Sequence, residues 1–486
     1  MLRSEDYAAI RSAIASIPGD VSNDAVGSYA AKLEDIFAPE AHSAALDPNI
    51  PIVVGSRGAG KSFWSSVLGQ RETRDAAAIA YPQLGLSNLS VEFGFTGIVG
   101  GLEGVSSEAL NALVPPNADV DRAKAFWWAT IMRATTRAAG GQAKLSELVT
   151  ECLDWESRET AIAAHERDLR ERGQVLLVVY DALDTVATTW PRRKLLTEAL
   201  LEVVWAMRAY RSIKLKLFLR PDQIDDDTLR FVELPKLRSG AVRLFWSGAD
   251  LYGLLYSRLV AAPQPEAALA FKKLLNSLDL STADRDAILS RRWNLAYYTE
   301  HQSRVMTMIA GPYMADGAFG YKKGKTYDWP LKHLGDAFDE VTPRSFLGLF
   351  VAASKRGAAP TDRVITAESL RHGLREASKT RVDQLHLEFP WIKAVLAPLA
   401  GLLLPQNEDA VFGVWHRTRT IELLIKDAVA NSYLPPFPAD KPNELDLLEA
   451  LKRIGVMLRR KDDRIDMPDL FRVAAKLLKK GGTAPI

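Results

Sequence analysis

The chain has 486 residues, 47% of them hydrophobic and 25% charged, which is the make-up of an ordinary well-cored protein of roughly three domains. Its 62 basic and 60 acidic residues leave a net charge of +2, which argues against a protein that coats nucleic acid over its whole surface. A single cysteine, Cys152, excludes an intrachain disulfide and a thiolate metal cage, and seven scattered histidines supply no paired metal-ligand motif.

The N-terminus is charged and lacks the apolar segment of a signal peptide, so a cytoplasmic protein is expected. Residues 1–45 read as helix, with Tyr29, Leu33 and Ile36 at helical spacing, and are expected to pack against the domain that follows. Ile50-Pro-Ile-Val-Val54 then reads as a short buried strand, and Gly55-Ser-Arg-Gly-Ala-Gly-Lys-Ser62 follows it. This stretch matches G-x-x-x-x-G-K-[ST] at every fixed position. The segment after it, Phe63 to Leu68, continues as a helix. In that context Gly55, Ser56, Arg57, Gly58, Ala59, Gly60 and the Phe63 backbone form an amide cradle for phosphate oxygens. Lys61 reaches the outer phosphates and the Ser62 hydroxyl ligates Mg²⁺.

Val91 to Phe95 precedes a Gly-rich turn, and Ala123 to Ala139 and Glu156 to Arg172 read as helices. Val175-Leu-Leu-Val-Val-Tyr-Asp181 is the pattern of a buried parallel strand ending in a carboxylate. Asp181 at that end either suits a magnesium ion or caps the strand before a turn, and Asp184, the nearest acid, either orients an attacking water or is a loop carboxylate or helix cap. Ala182 follows Asp181 directly and offers no second acid, which argues against fast hydrolysis. A helix at Arg192 to Tyr210 buries Leu196, Leu200, Val203 and Met207, and strands follow at Ile213 to Leu219 and Val242 to Trp246. Arg220 follows the first of these strands, either as a sensor of the terminal phosphate or tied to Asp222 in an Arg-Pro-Asp turn. Thr342-Pro-Arg344 reads as a helix start, with Arg344 either projecting from a lid towards nucleotide or resting on the surface. Arg230, Arg238 and Arg258 are candidates for an arginine finger. Trp391 to Leu404 reads as a buried helix, too short to span a bilayer.

The expected fold is therefore α/β, a mostly parallel sheet with helices on both faces. The expected domains are an N-terminal helical segment (1–45), a P-loop core (46–248), a helical lid (249–358) and a mainly α C-terminal domain (359–486). In the last, Val456 to Arg459 and Arg464 to Met467 read as a hairpin of winged-helix type. Lys452 to Lys480 holds ten basic and four acidic residues, so DNA is a candidate partner there, against a solvated face or a protein-binding wing. The loop Gly317 to Lys325 mixes aromatic residues with lysines and reads as a surface loop with the composition to grip a nucleic-acid backbone or an acidic surface.

Gly55 to Ser62, Leu176 to Asp184, Leu217-Phe-Leu-Arg220 and Thr342-Pro-Arg344 together resemble the additional-strand (ASCE) P-loop ATPases. Within that group they are similar to the STAND and KAP-like branch related to AAA+ proteins. Asp181 and Asp184 match the outer acids of that branch's strand motif, and Ala182 departs from it. The resemblance implies a sheet ordered 5-1-4-3-2, a helical lid, a winged-helix appendage, ATP and Mg²⁺ as ligands, and Lys61, Asp181, Asp184, Arg220 and Arg344 as site residues. It also implies an ATP-dependent switch acting through a homo-oligomer or a partner effector, often in bacterial defence or stress. The alternatives are a DNA-binding AAA+-like ATPase and a scaffold that binds nucleotide without turnover. No base-reading segment for GTP is present, and a small-molecule kinase fits the length less well.

Overall fold

The computed structural model describes residues 2–18, 30–97, 104–187, 189–224, 229–437 and 441–485. The chain divides into two units, Ser22–Phe245 and Met1–Val21 with Trp246–Ile486. Its first helix, α1 (Ser4–Ser16), belongs to the second of these.

The Ser22–Phe245 unit is built on a parallel sheet. In chain order it contains β1 (Ile52–Val54), α2 (Lys61–Gly69), β2 (Leu89–Gly97), β3 (Val105–Ser106), α3 (Val120–Ala138), α4 (Trp155–Glu171), β4 (Val175–Tyr180), α5 (Trp190–Met207), β5 (Ile213–Leu219) and β6 (Val242–Arg243). The six strands are ordered β3-β2-β4-β5-β1-β6 and every pairing is parallel. The expected order named five strands; the two-residue edge strand β3 is a sixth. The Gly-rich turn expected after β2 falls mostly on residues 98–103, outside the described residues.

Strand β4 is apolar throughout because both its faces are covered. Leu176, Val178 and Tyr180 join the core cluster with Phe126, Trp127 and Ile131 of α3 and Leu196, Leu200 and Val203 of α5. Leu177 and Val179 alternate with them and are equally buried, and α2 packs against β2, β4 and β5. Polar groups lock this packing. The Trp127 indole N–H donates to the Leu196 carbonyl at 3.0 Å, and the Thr130 and Tyr180 hydroxyls meet at 2.8 Å. Glu166 of α4 accepts hydrogen bonds from the backbone N–H groups of Arg211, Ser212 and Ile213, fixing where β5 begins.

The second unit is mainly helical. It contains α6 (Gly248–Val260), α7 (Pro265–Asn276), α8 (Pro343–Lys355), α9 (Ala367–Glu388), β7 (Leu403–Leu404), α10 (Glu444–Arg453), β8 (Leu458–Arg459), β9 (Ile465–Asp466), α11 (Asp469–Arg472) and β10 (Leu478–Lys479), besides shorter helices. β8 and β9 form the expected hairpin, and β7 pairs in parallel with β10.

Two expectations are corrected here. Residues 1–45 are not one helical stretch packed on the sheet. Helix α1 packs on α7 and α8, where the Arg11 guanidinium donates to the carbonyls of Arg356 and Gly357 and Lys273 pairs with Asp6 at 2.7 Å. Leu33 sits in a short 3₁₀ turn, Ile36 follows it in extended backbone, and Tyr29 lies outside the described residues. Trp391 to Leu404 is also not one helix. It breaks into Ile392–Leu396, a 3₁₀ turn at Ala397–Leu399 and β7, because Pro398 cannot donate to a continuing helix and Gly401 turns left-handed at φ +81°.

Candidate functional site

The site begins where β1 ends. The Gly55 N–H donates to the Leu219 carbonyl of β5 at 3.0 Å, so the loop leaves the sheet from a fixed point. Gly58 and Gly60 take φ of +83° and +105°, a left-handed backbone that favours glycine. Gly60 occupies the N-cap of α2 and offers no side chain to cap the first turn of that helix. Lys61 folds back over the loop, its ammonium donating to the carbonyls of Gly55 at 2.7 Å and Ser56 at 3.2 Å. Arg57, Ser56 and Phe63 are half-buried around the turn, and Ala59 is buried beneath it.

Helix α2 is pinned from behind by a residue the sequence did not single out. His42 is fully buried; its Nδ1 accepts from the Trp64 indole N–H at 2.9 Å, which leaves Nε2 to donate to the Phe245 carbonyl at 3.0 Å. Lys216 of β5 is likewise buried. Its ammonium donates to the carbonyls of Ala45 (3.0 Å), Asp47 (2.6 Å) and Ile50, gathering the segment that feeds β1. Burial pushes the Lys216 pKa down to about 7, against a smaller opposing effect of the Asp47 charge.

Asp181 stands at the carboxyl end of β4, 4% exposed, with its N–H donating to the Phe95 carbonyl at 3.0 Å. The Ser62 hydroxyl and the Lys61 charge both act on its carboxylate. Burial raises the Asp181 pKa; the Ala182 N–H, Ser62 and Lys61 counter that in part, and Asp184 adds to the rise. Ala182 itself turns left-handed at φ +56°, which swings the chain away from the strand into a 3₁₀ turn at Leu183–Thr185.

Asp184 lies in that turn and meets Arg220 at the end of β5. The Arg220 guanidinium donates to Asp184 at 3.2 Å and holds Asp222 through two bonds, at 3.0 and 3.1 Å. Arg193 of α5 reaches the same Asp222 at 2.8 Å. Burial alone would raise the Asp222 pKa, but the Arg220 and Arg193 guanidiniums outweigh it and hold the carboxyl well below the ordinary carboxylate range. Arg220 thus makes the local pair with Asp222 and also a link to Asp184.

The fold brings Lys61, Ser62, Asp181, Asp184 and Arg220 to one end of the sheet, at the carboxyl ends of adjacent strands. Arg344 belongs to the other unit. There Thr342 caps α8 through the Ser345 N–H at 3.3 Å, and Arg344 lines a cavity of about 450 Å³ between α8 and α9 with Lys355, His372, Arg381 and Gln384. Arg258 lies on α6, Arg238 donates to the Ile224 carbonyl at 2.7 Å, and the Arg230 N–H bonds to Glu198.

The donor set fits a magnesium nucleotide. The Ser62 hydroxyl and the buried Asp181 carboxylate offer the oxygen ligands a hard cation takes, beside an ammonium and a helix start suited to phosphate. Among the described residues no group of three or more His, Cys, Asp or Glu side chains could hold a metal by itself.

Among the described residues, no helix is long and apolar enough to cross a membrane. No protein-family model and no curated protein matches the chain. Among solved structures it is similar to the ORC2 protein of Aeropyrum pernix, solved as ADPNP–ADP complexes, with 12% identity and a TM-score of 0.36 over 87% of this chain and 84% of that one.

Proposed function

We propose that the chain binds ATP with Mg²⁺ at the Gly55–Ser62 loop and acts as a nucleotide-controlled switch with slow ATPase activity. The observation that carries this reading is the buried Asp181 carboxylate at the end of β4, on which the Ser62 hydroxyl and the Lys61 charge both act. Residues 120 positions apart in sequence thereby form one cation- and phosphate-binding corner.

In this reading the Lys61 ammonium leaves the Gly55 and Ser56 carbonyls for the outer phosphates, and the loop amides take the remaining oxygens. Ser62 and Asp181 hold the cation, which supplies charge neutralisation of the phosphates. Asp184 orients the attacking water, and Arg220 fixes Asp184 in place. Ala182, with no acid of its own, supports slow turnover. Arg344 senses the nucleotide from a lid spanning 249–358, and the change is read by another copy of the chain or by an effector protein.

A winged-helix DNA contact through the C-terminal segment draws less support. Arg459 pairs with Glu408, Arg464 with Asp462 at 2.7 Å and Arg460 with Asp466 at 3.8 Å, while Arg472 is fully buried against Asp469. Much of the basic charge counted there is already neutralised.

The test is phosphate release from Mg²⁺-ATP by the purified chain and by Lys61→Ala, with sizing of both in the presence and absence of nucleotide. Slow release and a nucleotide-dependent change in size are expected for the first and neither for the second. Equal behaviour of the two overturns the reading.

A further inference from the structure

The loop Gly317 to Lys325 is closed on itself and turns its side chains outward. Tyr313 and Lys325 form an antiparallel bridge across its base, and the Met314 N–H donates to the Gly324 carbonyl at 2.9 Å. A 3₁₀ turn at Gly320–Lys323 shapes its tip. Gly320 is buried in that turn, and a Cβ there would stand 2.2 Å from the Ala315 carbonyl oxygen, so the backbone crosses itself where only glycine fits.

On this frame Phe319 is 70% exposed and Tyr321 54%. The Lys322 ammonium lies 4.8 Å from the centre of the Phe319 ring. Lys322, Lys323 and Lys325 are all exposed, and none of them pairs with an acidic side chain among the described residues. The neighbouring acid Asp316 is engaged by Arg363 at 3.3 Å. Two open rings and three uncompensated ammonium groups thus share one short, backbone-fixed projection. Rings that leave water only on meeting a flat partner, beside cations with no acidic partner among the described residues, match a strand of unpaired bases joined by phosphates.

We infer that this loop is a contact for single-stranded nucleic acid, with a base stacked on Phe319 or Tyr321 and the flanking phosphates taken by Lys322, Lys323 and Lys325. An anionic membrane is the other surface with this chemistry. Three lysines fall short of the four to eight basic residues that such a surface recruits, and two rings make no continuous apolar face. The inference stands apart from the phosphate loop, since every residue in it lies in the Trp246–Ile486 unit.

The test uses the full chain, a labelled single-stranded oligonucleotide, its duplex, and phosphatidylserine vesicles, over a range of salt concentrations. The chain binds the single strand in preference to the duplex. Phe319→Ala weakens that binding by about tenfold or more, with the salt slope unchanged. Lys322→Ala with Lys323→Ala flattens the slope by about 1.4, two phosphates' worth. Both variants keep the thermal midpoint of the parent, because the side chains removed are exposed. The inference is overturned by no binding at low salt, by equal binding in Phe319→Ala, by a duplex bound as tightly as the strand, or by binding to vesicles alone. Loss of strand binding in Lys461→Ala with the loop variants unaffected also overturns it, since the contact would then lie on the β8–β9 hairpin.

Discussion

The Arg220 guanidinium donates to the Asp184 carboxylate at 3.2 Å, joining the ends of neighbouring parallel strands. Its other nitrogens are held by Asp222, which Arg193 grips from α5. Asp184 is therefore not a loose loop acid. Its position depends on a guanidinium whose own orientation is fixed by a half-buried carboxylate, so the two residues act as one unit.

That coupling is measurable. Asp184→Asn and Arg220→Ala each lower the rate of phosphate release, and the double variant loses less than the product of the two. A double-mutant cycle on turnover yields an interaction of roughly 0.5–3 kcal/mol, the range for residues sharing one hydrogen-bonded network. Strictly multiplicative losses would mean that Arg220 serves Asp222 alone.

Asp222 ties part of the fold's stability to pH. Its pKa is held below the unfolded value, so its contribution is complete above about pH 4 and is lost as pH falls through the folded value. Asp222→Asn leaves two buried guanidiniums without their shared carboxylate and destabilises the protein by about 3 kcal/mol at neutral pH. Urea unfolding at pH 7 and pH 3.5 should show the variant losing less stability on acidification than the parent. Parallel losses in the two proteins would contradict the assignment.

Lys216 acts in the same sense but in a higher pH range. Unfolded, it keeps its proton to about 10.5; folded, it gives it up near 7. Between those values the unfolded chain binds more protons, so stability rises with pH. From pH 7 to pH 9 the parent should gain about 2 kcal/mol relative to Lys216→Met, read by urea unfolding at each pH. An identical pH dependence in the two proteins would show that the three carbonyls around Lys216 keep it charged.

Much of the site was legible because its signals are local. The spacing of Gly55, Gly60, Lys61 and Ser62 dictates a bent loop at a helix start, and five apolar residues before Asp181 mark a strand buried on both faces. Thr342 and Pro343 announce the start of α8 in the same way. The bonds that position these pieces are long-range and carry no pattern. His42 reaches Trp64 and Phe245, Glu166 caps the start of β5, and Arg193 reaches Asp222 across 29 residues. Helix α1 was misplaced for a related reason. Ile10, Ala13 and Ile14 give it an apolar face, but Arg11 and Asp6 tie it to carbonyls and a lysine more than 260 residues away, contacts no local pattern announces.

The central claim is that Lys61, Ser62 and Asp181 form one corner for a magnesium-bound triphosphate. Calorimetric titration of the full chain with ATP, with and without Mg²⁺, tests it most directly, run alongside Lys61→Ala. A lost charge-assisted bond to phosphate is worth about 1.5–3 kcal/mol, so the variant should bind roughly ten- to a hundredfold more weakly, with its fold intact by circular dichroism. ATP binding of equal strength in the two proteins, or no binding by the parent with magnesium present, would contradict the claim.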